Sequence, residues 1–403
     1  MRYSVILDMN KILTLLLILS LMAGMVSCDE SPYEPTPENT KSKRTLLIYA
    51  VASNNLQSYL VDDCKEMLRA APEVDGLGSD VRVVLYSVPS QSAVAATLSE
   101  LTIDSDGTWS FTPVRTYDRN VFSTDPERMR SVFDDTRELF PSERYGLILW
   151  SHGTGWMPNF TDHQVPAPSD VKKSYGMDKY QGVTDYCDLD ELAEAIPDRM
   201  FDYVWFDLCY MMGIEVAYQL RGKCDYIAGY PTEDWSMGMN YDTTLPMLAS
   251  PEADLIGAAR AFYDYYDKNN FPVTVTVAKT DGMERLAAAA AAVYASGEKP
   301  ESTFGLQNYS RLRTGLYDFG QFTKKYLEGN APIADTDKLL SEFTAALDEV
   351  VLFGACTEQD FYRNPKGFDP ELYSGFSCHF PGTTSLADEE YYSSLDWPLA
   401  VYP

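Results

Sequence analysis

The chain has 403 residues, 45% apolar and 13% aromatic, enough hydrophobic material to bury a sizeable core rather than stay disordered. Its 60 Asp and Glu against 32 Lys and Arg give a formal charge of -28 at pH 7, which argues against nucleic-acid binding because phosphate backbones are held by basic side chains. An acidic surface is usually only solvated, although it also favours cationic peptides.

Arg2 and Lys11 precede an apolar run, Ile12 to Met22, too short to span a bilayer comfortably and shaped like a secretory signal. Met25-Val26-Ser27-Cys28 then resembles a bacterial lipoprotein box, in which the residue after the small cleavage-site residue takes the lipid. Residues 1–28 are therefore expected to be a lipoprotein signal segment. The protein is expected to be exported and lipid-anchored through Cys28 to a bacterial membrane, in the periplasm or at the cell surface. Residues 29–44, beginning DESPYEPTPENT, have the composition of a solvated linker.

From Thr45 onward, short apolar runs alternate with helical patterns. Strands are predicted at 45–52, 81–87, 145–150, 203–206 and 226–229, and helices at 56–71, 125–140 and 189–196. Near-continuous apolar strands separated by helices imply an α/β domain, here 45–250, with a largely parallel central sheet covered on both faces. Function in such sheets gathers at the carboxyl ends of the strands. Residues 251–403 read as a mainly helical C-terminal region packed on the first. It has helices predicted at 253–268, 282–295, 319–329 and 338–353, and strands at 272–278 and 374–380 that are able to join the same sheet.

Two polar groups fall where such a sheet concentrates chemistry. His152 and Gly153 follow the apolar run ending at Trp150, and Cys209 follows the run ending at Phe206. Parallel strands would bring both side chains to one edge. A thiol beside an imidazole suits nucleophilic catalysis: the thiolate attacks, and the histidine holds the proton and returns it to the leaving amine. The Gly153 and Cys209 amides are candidate oxyanion donors. A helix opening from Met212 is expected to lower the thiol pKa through its dipole. Against this, a cysteine after an apolar strand is more often an inert buried residue.

The segments LILWSHGTGW (147–156) and FDLCYMMGIEVAYQL (206–220) resemble the clostripain family of cysteine peptidases, within the caspase-like group. LLIYAVASNNL, CDLDELAEAIP, MGMNYD and SGFSCHFP are similar to further family segments, in the same order, between Leu46 and Pro381. The resemblance implies a caspase-like fold, with His152 and Cys209 as catalytic pair and the Gly153 and Cys209 amides as oxyanion hole. It also implies cleavage after Arg or Lys, with Asp207 near the mouth of the pocket for that side chain. A carboxylate there would pair a guanidinium or ammonium. Alternation along the strand leaves a second role open for Asp207, orienting His152. Glu233 and Asp234 are further candidate pocket acids, with Asp234 ranked behind Asp207.

Leu208 and Tyr210 replace the residues more frequent in the family, Ala and Leu, and make the surroundings of the nucleophile bulkier. Relatives mature by cutting themselves in the linker after the histidine, which makes Lys172, Lys173 and Lys179 candidate self-cleavage positions. Asp62 and Asp63 read as a helix surface, His163 as an exposed loop residue and His379 as a hydrogen-bonded core residue. The remaining cysteines, at 64, 187, 224, 356 and 378, have no zinc spacing, and no calcium loop is recognisable. No metal or cofactor is expected. The expected partners are peptide or protein substrates and the membrane, and the protein is expected to be a monomer. The rival readings are an inactive surface-binding lipoprotein that keeps the fold, and a serine hydrolase, disfavoured because no G-x-S-x-G elbow follows a predicted strand.

Overall fold

The computed structural model describes residues 41–88, 94–157, 174–310, 315–328, 334–360 and 367–402. In chain order the first half comprises β1 (Ser42–Val51), α1 (Gln57–Ala70), β2 (Val81–Val88), β3 (Ala96–Ile103), β4 (Trp109–Tyr117), α2 (Pro126–Leu139), β5 (Ser142–Trp150), β6 (Tyr175–Tyr180), β7 (Val183–Cys187), α3 (Leu189–Ala195), β8 (Tyr203–Asp207), α4 (Ile214–Gln219) and β9 (Tyr226–Gly229). The second half comprises α5 (Tyr241–Ala249), α6 (Leu255–Lys268), β10 (Thr274–Lys279), α7 (Met283–Ser296), β11 (Leu316–Asp318), α8 (Phe319–Lys325), α9 (Thr336–Val350), β12 (Val351–Cys356), β13 (Ser377–His379), α10 (Leu386–Ser394) and α11 (Asp396–Val401). No described helix is long and apolar enough to cross a membrane.

Among the described residues, nine strands form one sheet in the order β12-β10-β9-β8-β5-β1-β2-β3-β4. Its centre, β9-β8-β5-β1-β2, is parallel. The outer pairs on each side run antiparallel. Successive side chains of a strand point to opposite faces, and in β1 both sets are apolar: Leu47, Tyr49 and Val51 enter one core, Leu46, Ile48 and Ala50 the other. The first core is closed by α2, α3, α4, α7 and α9 through residues such as Phe133, Leu192, Val216, Leu286 and Phe343. The second is closed by α1, α5 and α6 through Met67, Leu248 and Phe262. A sheet buried on both faces needs apolar residues at nearly every position.

Helix ends follow local chemistry. The Asp125 side chain accepts from the Glu127 and Arg128 amides with Pro126 in the first turn, and Asp188 and Glu191 form a reciprocal capping box on α3.

The C-terminal region does contribute to the main sheet, through β10 and β12, but three of its elements differ from expectation. The helix predicted to reach Phe353 stops at Val350. The next six residues pair antiparallel with β10 as an edge strand with alternating exposure. The helix predicted to Gly329 ends at Lys325 and continues as a 3-10 turn, Tyr326–Glu328. The strand predicted at 374–380 shortens to β13, which pairs with β11 in a separate two-stranded sheet.

Candidate active site

Adjacent parallel strands β5 and β8 are in register with Trp150 opposite Asp207. His152 and Cys209 each lie two residues beyond that pair, so both loops leave the sheet at the same carboxyl edge. His152, Cys209, Asp207, Asp234 and Trp235 all line one cavity of about 440 Å³. Gly153 lies where the two loops meet: a Cβ there would fall 2.6 Å from the Cys209 carbonyl oxygen and 2.5 Å from Leu208 Cδ1. Only glycine permits that approach. Tyr210, next to the cysteine, adopts φ 66 without being glycine, a left-handed conformation costing about 1–2 kcal/mol. It is held by its N–H, which donates to Thr232 O at 2.8 Å.

The resting electrostatics differ from expectation. Burial pushes the Cys209 thiol up to about 12. Burial, aided by the positive charge of Lys179, lowers His152 to about 4. The pair therefore rests as neutral thiol and neutral imidazole. The expected depression by a helix dipole is absent, because α4 begins at Ile214, five residues beyond the sulfur, and burial dominates. Cys209 Sγ accepts the Asp234 N–H at 3.2 Å. His152 Nε2 bonds Asn55 Oδ1 at 2.9 Å. An amide oxygen only accepts, so this bond places the ring proton on Nε2 and leaves Nδ1 as the basic nitrogen. Asn55 was not a candidate from sequence, since its partner is 97 positions away.

The cavity is acidic. Asp207, 3% exposed, accepts from the Met239 amide at 3.0 Å, Tyr230 Oη at 3.4 Å and Tyr241 Oη at 2.8 Å. Asp234 adds a second carboxyl group to the same cavity. Burial raises both carboxyls, and for Asp234 the Asp207 charge adds to it. Gly238, at φ +60, brings the backbone to this carboxylate; a Cβ would sit 3.2 Å from both Asp207 oxygens. Asp63, expected on a helix surface, is instead 2% exposed and accepts from Trp150 Nε1 at 2.9 Å. Burial and then the Asp207 charge raise it to about 9. Its neighbour Asp62 does lie at the surface, paired with Lys65. Among the described residues no group of His, Cys, Asp and Glu has a metal-holding arrangement, and the six described cysteines are all free thiols.

Two further elements hold the histidine and cysteine loops. The β6–β7 hairpin binds the histidine loop through Gly176 N–H to His152 O at 2.9 Å and Thr154 N–H to Ser174 O at 3.1 Å. The hairpin is anchored by Asp178, fully buried, which pairs with buried Arg119 and accepts from the Ser123 amide. On the other side, Ser377 of β13 donates its N–H to Met212 O at 3.0 Å, and His379 N–H donates to Glu215 Oε1 at 2.7 Å. Trp156, which ends the histidine loop, packs its ring on His379 and Tyr392. His379 is a buried core residue bonded through Nε2 to Glu389. Lys179 lies inside β6, with its N–H directed to Ser53. Cys28, His163, Lys172 and Lys173 lie outside the described residues.

A thiol and an imidazole at the carboxyl edge of a parallel sheet, flanked by helices, are the arrangement of a caspase-like α/β protein of the cysteine-peptidase class. Three comparisons specify it further. The clostripain family model, peptidase family C11, matches residues 48–328. The chain therefore belongs to the clostripain family. It is 28% identical, with a TM-score of 0.74, to the structure of an inactive zymogen C11 protease from Parabacteroides distasonis, covering 90% of this chain and 99% of that one. It shares its fold with a secreted C11 cysteine protease from Bacteroides thetaiotaomicron solved with an irreversible peptide inhibitor, at 24% identity and a TM-score of 0.74, over 89% of this chain and 98% of that one. Clostripain of Hathewaya histolytica is 25% identical over 227 residues, 51% of this chain. That match spans 42% of the relative's length.

Proposed function

We propose that this protein is an endopeptidase that cleaves after Arg or Lys through a Cys209–His152 dyad. The observation that carries the reading is that one cavity is lined by the thiol, the imidazole and two carboxyl groups, buried Asp207 and half-buried Asp234. In the proposed reaction His152 Nδ1 takes the thiol proton as Cys209 Sγ bonds to the scissile carbonyl carbon. The carbonyl oxygen, now anionic, is received by the Gly153 and Cys209 amides. The C–N bond then breaks and the departing amine takes the proton from His152, leaving a thioester. Water attacks the thioester, with His152 as its base, and the carboxylic acid and free thiol are regenerated.

The neutral resting pair supports general-base activation, in which the proton moves as the S–C bond forms. Asp207 and Asp234 would neutralise a guanidinium or ammonium in the cavity, and that cation would in turn favour their charged forms. Asp207 is held by three donors that fix its orientation, which favours the pocket role over orienting His152. A signal at 1–28 and a lipid on Cys28 remain part of the proposal, as does self-cleavage at Lys172, Lys173 or Lys179; the linker expected at 29–44 is shortened at its end, because Ser42, Lys43 and Arg44 belong to β1 and Arg44 is buried. The hydrogen-bonded strand position of Lys179 favours Lys172 and Lys173.

The test uses peptide reporters carrying Arg, Lys or a neutral residue before the scissile bond. Wild type is expected to prefer the basic reporters at least a hundredfold, Cys209→Ala to be inactive, and Asp207→Asn to lose about 2–4 kcal/mol of discrimination. Equal rates on basic and neutral reporters would refute the pocket assignment.

A further inference from the structure

Beyond the pocket for the basic side chain, the site has a second recognition surface with different chemistry. The strand carrying Cys209, β8, lies between β5, which carries His152, and β9. A histidine that protonates the leaving amine must face the leaving half of the peptide. The acyl half must then run over the opposite flank, which is the loop after β9 and the turn entering β10. That flank is aromatic. Trp235 lines the cavity, and its ring meets Phe271 edge-on with centroids 4.9 Å apart. Its Nε1–H donates to Pro272 O at 2.8 Å, which fixes the ring plane. Phe271 and Met237 remain 36% and 42% exposed. Met237 lies in the tight turn closed by Gly238 N–H to Trp235 O at 2.7 Å. On the histidine flank Asn55 bonds His152 and Lys179 acts on its charge, with Leu56 an apolar cavity wall beside them.

We infer that Trp235 and Phe271, extended by Met237, form an apolar subsite for the side chain immediately preceding the basic residue. The protein would therefore select peptides in which a large aliphatic or aromatic residue precedes Arg or Lys. This rests on the reading of Cys209 and the acidic pocket given above. The spacing fits, since adjacent Cα atoms are about 3.8 Å apart and Trp235 is itself a wall of the cavity. The chemistry fits because the ring's polar edge is already satisfied, so its face offers only apolar contact. The carboxyl groups of Glu233 and Asp234 next to it disfavour an acidic side chain there.

The experiment compares four reporters, each with Arg before the scissile bond, preceded by Leu, Phe, Gly or Asp. In wild type, kcat/KM is expected to be about tenfold higher for Leu and Phe than for Gly, the effect of covering roughly 55 Å² of apolar surface, and lowest for Asp. The gain should appear mainly in KM. Trp235→Ala should reduce the Leu-to-Gly ratio to about 2, and Phe271→Ala, at the exposed rim, should reduce it in part. Parallel reporters varied on the leaving side should keep their ratios in both variants. Cysteine-dependent cleavage after Arg that shows no preference for Leu or Phe would overturn the subsite while leaving the peptidase reading intact. The same holds if the preference survives both substitutions. Absence of Cys209-dependent cleavage on all four reporters would instead refute the underlying reading.

Discussion

Cys209 is subject to two opposing demands. In the proposed reaction it must become a thiolate, yet its surroundings are buried and acidic, and both features hold the proton on sulfur. His152 is held neutral by the same burial. A preformed thiolate–imidazolium pair would alkylate at a constant rate from about pH 5 upward, whereas a neutral pair does so only as base becomes available. The rate of Cys209 modification by iodoacetamide is therefore expected to climb roughly tenfold per pH unit between about pH 6 and 9. A plateau beginning near pH 5 would contradict the neutral resting state. Asp63 offers a second check at this scale. Its carboxyl is raised from 3.8 unfolded to about 9 folded, so its protonated form contributes stability that is complete below about pH 4 and lost as pH rises through about 9. Asp63→Asn keeps an acceptor for Trp150 Nε1 and removes the titration. Thermal unfolding is expected to show the variant gaining on wild type between pH 5 and pH 8, and a difference independent of pH would rule this out.

At the level of elements, the proposed catalytic geometry depends on a short strand far along the chain. β13 holds the cysteine loop through Ser377 and Glu215, and carries His379, on which Trp156 of the histidine loop rests. Glu215 thus acts as a positioning residue for both loops. Glu215→Ala leaves the buried His379 N–H without its acceptor, a loss of about 1–3 kcal/mol in stability. It is expected to lower kcat at least tenfold with little change in KM, whereas Glu215→Gln, which keeps the acceptor, should recover most of the rate. A change confined to KM, or no recovery by Gln, would dismiss this role.

The same level explains what could be read in advance. The five central strands were legible because strands buried on both faces are continuous apolar runs. β3 and β4 were not. β4 is an edge strand with alternating exposure and Pro113 in its middle, a residue tolerated only at an edge or bulge. β12 was hidden because its apolar residues continue the pattern of α9 without a break. His152, Gly153, Cys209 and Asp207 were visible because each follows a readable strand. Asn55, the buried Asp63 and the apolar character of Trp235 were not, since their significance comes from neighbours brought together only by folding.

On the scale of the whole molecule, strand order alone accounts for most of the site. Placing β8 between β5 and β9 puts an imidazole on one flank of the sulfur and an aromatic, acidic loop on the other. In the proposed reaction one flank serves the leaving amine and the other the acyl half of a peptide. The described residues, between 41 and 402, form one compact unit, so the C-terminal elements are not an appendage: β10 and β12 complete the sheet, and β13 clasps the loops. Net charge of -28 adds a long-range attraction for cationic peptides to the local acidity of the cavity.

The most direct test of the central claim is mass spectrometry of the protein after treatment with a peptidyl halomethyl ketone ending in Arg, whose electrophilic carbon forms a stable thioether with an activated thiol. The expected result is a single adduct on the peptide containing Cys209, loss of all hydrolytic activity, and no adduct in the His152→Ala variant. An adduct on another of the free cysteines, or full labelling of Cys209 with activity retained, would contradict the account.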